Sequence, residues 1–205
     1  MRTTPIGIAM LNDEREHVWS QNNPANMAVV NRWADVLRKG LKNVDGSAPE
    51  IVVASKIITG VRVAQEIGEE LLRKGCRQII MCYNVWNFPF INCFGKDVPI
   101  LSLSNNNGQY PGNVGLLATD GALRQAGRRT HRIVGEIDAA ATQRQVFDWC
   151  RASNAVTTIK NEVFGLYGGH SMGMETGFFH LTPTIKALGC NCYQIDQYLL
   201  VKYAE

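Results

Sequence analysis

QIIMCY, Gln78 to Tyr83, is a nearly unbroken apolar run that stops at Asn84. Side chains alternate between the two faces of a strand, so a strand apolar at successive positions has no face to give to water. It belongs inside a sheet covered by helices on both sides. The segments before it supply such cover. Val63, Ile67, Leu71 and Leu72 repeat at three- and four-residue spacing within Gly60 to Lys74, which predicts an amphipathic helix. Glu50 to Ser55 reads as a strand, Ala25 to Leu41 as a helix with Met27, Val30, Trp33, Val36 and Leu37 on one face, and Pro5 to Leu11 as the first strand.

The pattern continues after QIIMCY. Ile100 to Ser104 reads as a fourth strand that ends in Asn105, Asn106, Asn107 and Gly108. A helix is predicted from Asn113 to Gln125, stopping at Gly127, where glycine accepts the left-handed geometry of a helix end. His131 to Ile137 is a fifth strand, and Ala139 to Ile159 a long closing helix. Strands alternating with helices imply an α/β fold whose five-stranded sheet is mainly parallel and doubly wound, filling residues 1–160.

Residues 161–205 repeat the logic on a smaller scale, with a strand at Val163 to Tyr167, a glycine-rich turn, a helix near Thr176 to Leu188 and a strand at Cys192 to Ile195. A βαβ piece of this size is below that of a free-standing domain. Either it completes the first unit, or it opens a second α/β domain that is truncated here. The second reading expects Phe178, Phe179, Ile185 and Leu188 to be underburied.

Composition excludes several classes. With 45% hydrophobic and 19% charged residues the chain can bury a core, so disorder is not expected. Twenty-one basic and 18 acidic residues are scattered along it without a basic stripe, which argues against nucleic acid as a partner. No apolar run is long enough to span a membrane, and the apolar start at Pro5 is too short for a signal-peptide core. The six cysteines lack CxxC spacing, and several sit in apolar strands, as reduced thiols of a cytoplasmic protein do. A zinc site is not expected.

The chemically suggestive residues gather where strands end. GLYGGHSMGMETG, Gly165 to Gly177, puts five glycines between a strand and a helix, a geometry that serves either a structural turn or a ligand-binding edge. Its spacing is not GxGxxG, which weighs against a nucleotide-binding domain. Trp86 in MCYNVWNFPF follows a strand and either stacks on a sugar ring or packs its loop down. The amides of SNNNGQYPG, Ser104 to Gly112, bind hydroxyls or cap their own loop. Arg15 in LNDER is a ligand contact or a solvated loop residue, and His170 a proton carrier or a polar loop residue.

Taken in order, PIGIAMLNDER, YNVW, NNNGQYPGNVGLLA, GLYGGHSMGMETG and the YQID strand resemble the N-terminal region of the L-fucose isomerase family, over nearly the whole chain. The resemblance implies a Rossmann-like first domain, followed by a second α/β domain and a C-terminal β-rich domain. It implies an aldose-ketose isomerase acting on L-fucose or D-arabinose, assembled as a homohexamer, with manganese (Mn2+) held by a Glu, an Asp and a His. Arg15, Trp86 and Met172 match positions that reach a neighbouring subunit's sugar. The metal ligands and proton-transfer carboxylates are expected beyond residue 205, so the chain alone is expected to be inactive. The alternative is a stand-alone sugar-binding α/β module without catalysis.

Overall fold

The computed structural model of the chain describes residues 3–87, 97–107, 110, 112–128, 130–160, 162–168 and 180–204. The chain divides into two compact units, Met1–Asn154 and Ala155–Glu205.

The first unit is built on a five-stranded parallel sheet in the order β2-β1-β3-β4-β5. In chain order its elements are β1 (Ile6–Leu11), α1 (Glu16–Gly40), β2 (Ile51–Val53), α2 (Val61–Arg73), β3 (Gln78–Tyr83), β4 (Ile100–Ser104), α3 (Gly112–Gln125), β5 (Thr130–Val134) and α4 (Ala140–Ile159). QIIMCY is β3, paired with β1 on one side and β4 on the other, and all six residues are buried. The α/β doubly wound arrangement is therefore as expected.

The two-sided apolar pattern resolves into two cores. Ile6, Ile8 and Met10 of β1, Ile80 and Cys82 of β3, and Leu101 and Leu103 of β4 pack with Val30, Trp33 and Leu37 of α1 and Val146 and Cys150 of α4. The intervening residues Ala9, Leu11, Ile79, Met81 and Tyr83 pack on the opposite face with Ile67 and Leu71 of α2 and Leu116 of α3. Two cores on one sheet explain why β1 and β3 carry almost no polar residue.

Three boundaries differ from the sequence reading. The first helix begins at Glu16, nine residues before Ala25, and Pro24 lies inside it. Proline has no N–H to give the Ser20 carbonyl, and the polar stretch before it lacks an apolar period, so neither cue announces a helix. Asn23 in this first part accepts a hydrogen bond from the Asn12 amide at 2.8 Å, which holds the helix start against the end of β1. Strand β2 is three residues long, and β5 ends at Val134.

The second unit holds a parallel pair, β6 (Val163–Tyr167) and β7 (Asn191–Ile195), with α5 (Leu181–Leu188) between them in sequence and α6 (Tyr198–Lys202) after. Ile185 and Leu188 are 41% and 50% exposed. Phe178 and Phe179 lie outside the described residues, as does the predicted helix before residue 180. Among the described residues, no helix is long and apolar enough to cross a membrane.

Candidate functional site

Strand order sets where a ligand can sit. Between β1 and β3 the winding reverses, and the carboxyl ends of the strands at such a point are the usual ligand position in open α/β sheets. The loop after β1 begins at Asn12 and carries Arg15. The loop after β3 begins at Asn84 and carries Trp86. The structure thus places both residues at one sheet edge, on the two loops that flank the switch point.

Arg15 is anchored through a buried acid. The Asp13 carboxylate, itself fully buried, accepts Arg15 Nε at 2.9 Å and Nη2 at 2.6 Å, a two-point fork that fixes the guanidinium plane. It also accepts the Arg15 backbone N–H at 2.8 Å. The Asp13 N–H in turn donates to Asn12 Oδ1, at 2.8 Å. The Arg15 side chain remains 57% exposed. A long, flexible cation is thereby held in one orientation while still facing solvent.

This fork has a pH signature. The hydrogen bond from Arg15 holds the Asp13 carboxyl below the ordinary carboxylate range, against the opposing effect of burial. With the folded value below the unfolded value of about 3.9, the pair's contribution to stability is complete at neutral pH and is lost as pH falls through the folded value. The stability gap between wild type and Asp13→Asn is expected to narrow between pH 7 and pH 3 in denaturant titrations. A gap that stays constant across that range would contradict the assignment.

Trp86 is presented from a rigid base. Its neighbours Val85 and Asn87 are buried, whereas Trp86 is 39% exposed. Asn87 donates from Nδ2 to Thr119 Oγ1 of α3 at 2.9 Å. Gly112 and Gly115, on the same side of α3 as Thr119, let the loop approach. A Cβ at Gly112 would overlap the Tyr83 carbonyl, and one at Gly115 would overlap the Val85 carbonyl and the Asn87 side chain. Gly112 and Gly115 therefore serve close packing, which fixes where Val85 and Asn87 on either side of the indole stand.

A ladder of amides, buried at Asn26 and Asn84 and half-buried at Asn105, crosses the same edge. Asn84 Nδ2 donates to Asn26 Oδ1 at 2.8 Å, and Asn105 Nδ2 donates to Asn84 Oδ1 at 2.6 Å. Asn105 Oδ1 accepts the Gly112 N–H at 3.3 Å, and Asn107 Oδ1 accepts the Tyr110 N–H at 2.7 Å. The amides of SNNNGQYPG thus cap their own loop and the start of α3. Asp13, Asn26 and Asn84 were not singled out from the sequence. The one available signal was Asn26, which falls four residues before Val30 on the buried stripe of α1, a position that calls for a polar partner.

Met172 and His170 lie outside the described residues, as do Cys93 and most of the glycine-rich turn. Among the described residues, no three of His, Cys, Asp or Glu stand together as a metal site. Burial pushes the Cys76 thiol up to about 11 and the Cys150 thiol up to about 12, and raises Cys82 as well, so these cysteines are packing residues rather than nucleophiles.

No individual curated protein matches the chain. The family model for the first N-terminal domain of L-fucose isomerase matches residues 3–161, which takes in the whole five-stranded sheet and both loops of the switch point. On that match the chain belongs to the L-fucose isomerase family.

Proposed function

We propose that the chain is the N-terminal part of a metal-dependent aldose-ketose isomerase, interconverting L-fucose with L-fuculose and D-arabinose with D-ribulose, and that its sheet edge covers the active site of a neighbouring subunit. The supporting observation is the pair at the switch point: an arginine locked in orientation and a tryptophan between two buried neighbours, both open to solvent. A guanidinium and an indole together suit a sugar, one for hydroxyls and one for an apolar ring face. Met172 is the third proposed contact.

Moving hydrogen between C1 and C2 requires polarisation of the carbonyl and groups that carry the proton. The described residues hold no cluster fit for a metal, so no step is assigned to them. In this proposal a Glu, an Asp and a His of a later domain of the parent would hold manganese, which would supply the carbonyl polarisation when bound. The parent is a cytoplasmic homohexamer, and the 205-residue chain by itself is inactive. The exposed Ile185 and Leu188 support residues 161–205 as the opening of the second α/β domain.

Trp86→Ala in the full-length parent tests the covering role. Loss of ring stacking is worth about 0.5–1.5 kcal/mol, so kcat/KM is expected to fall by up to about tenfold, with manganese affinity unchanged. A parallel loss of manganese affinity would contradict the role, because the residue belongs to the cover and not to the metal shell.

A further inference from the structure

A cavity of about 250 Å³ lies on the α1 side of the sheet, at the carboxyl ends of β3, β4 and β5. It is separate from the Arg15 and Trp86 contacts, since neither residue lines it. Val29, Trp33, Cys82, Leu103 and Ile137 form its apolar wall. Asn84, Asn105, Asn107 and Tyr110 form a polar wall, with Arg32 and Glu136 also at the cavity.

The polar wall has capacity to spare. An amide side chain has two N–H donors and an oxygen with two lone pairs. The bonds along the ladder engage one donor and one acceptor site of Asn84, and one of each of Asn105. Ser104, which also lines the cavity, is buried and its Oγ has no hydrogen-bond partner. A row of amides offering donors and acceptors side by side matches vicinal hydroxyls, which need both.

Charge narrows the ligand class. The Arg32 guanidinium is engaged by both carboxylate oxygens of Asp138, at 2.7 and 2.9 Å. Glu136 accepts the Asn106 N–H at 3.0 Å through one oxygen. No unpaired cation therefore faces the cavity among the described residues, and Glu136 disfavours anions. We propose that this cavity is a second binding site, for a small neutral polyhydroxyl compound of the size of a hexitol. The site does not rest on the covering role of Arg15 and Trp86.

The test is titration of the 205-residue chain with galactitol and with galactitol 1-phosphate, read by saturation-transfer NMR. Binding of galactitol with a Kd on the order of 1 mM is expected for so small a ligand, with the phosphate at least tenfold weaker. Ala25→Trp, which fills the cavity from α1, is expected to weaken galactitol at least tenfold, and Arg15→Ala to leave it unchanged. Asn107→Leu on the polar wall gives the same reading should the tryptophan not be accommodated. Galactitol binding that is abolished by Arg15→Ala and untouched by Ala25→Trp and Asn107→Leu would overturn the second site while favouring the covering face. No binding, or equal binding of the phosphate, would also overturn it.

Discussion

Gly112→Ala is expected to destabilise the first unit by about 1–3 kcal/mol, the usual cost of forcing a group into filled space. The added methyl would overlap the Tyr83 carbonyl, a backbone atom at the end of the central strand that cannot swing aside as a side chain can. Relief requires α3 to lift away from the loop that carries Trp86. Gly121, on the same helix, is the control, because nothing stands within 4 Å of a Cβ there. Gly121→Ala is expected to stabilise by about 0.5–1 kcal/mol, since it relieves the entropic cost of glycine inside a helix. Denaturation midpoints of the two variants should therefore move in opposite directions. If Gly112→Ala is neutral, the close approach of α3 to β3 is wrong.

Asn84→Leu is expected to cost more. It strips the donor from Asn26 Oδ1 and the acceptor from Asn105 Nδ2 together. Each buried polar group left unpaired costs about 1–3 kcal/mol, and the Asn26 amide nitrogen is already without a partner. Leucine has nearly the same shape, so packing alone predicts little change. Chemical denaturation decides between the two: a loss of about 2–4 kcal/mol follows from the unpaired groups, and a shift within experimental error would mean that the ladder is ornamental. Asn26→Leu in the same background separates the two contributions. With both amides replaced, the penalty at Asn26 disappears and part of the stability should return.

The fold was legible because its central strands are apolar on both faces. Every residue of QIIMCY is buried in β3, and that pattern arises only inside a covered sheet. The start of α1 was not legible, because Glu16 to Asn23 has only Val18 and Trp19 as apolar residues, side by side and without a helical repeat, and Pro24 follows, while the bond from Asn12 to Asn23 is a contact between separate elements. The site was legible in part. Position after a strand marked Arg15 and Trp86 as edge residues. What holds them was not: Asp13 looks like any acidic loop residue until its burial is known, and nothing in the spacing of Gly112 and Gly115 announces the close approach they allow. Buried partners are set by tertiary packing, which a linear spacing does not encode.

The covering role is tested most directly by mixing two defective parents. One carries Trp86→Ala together with Arg15→Ala, and the other carries an intact sheet edge with its metal site disabled. If the sheet edge of one subunit completes the site of its neighbour, assemblies reformed from both proteins would contain sites that pair an intact edge with an intact metal centre. Turnover of L-fucose well above that of either parent alone is the expected result. Activity of the mixture no greater than the average of the two separate proteins would contradict the account, and would place Arg15 and Trp86 in the service of their own subunit.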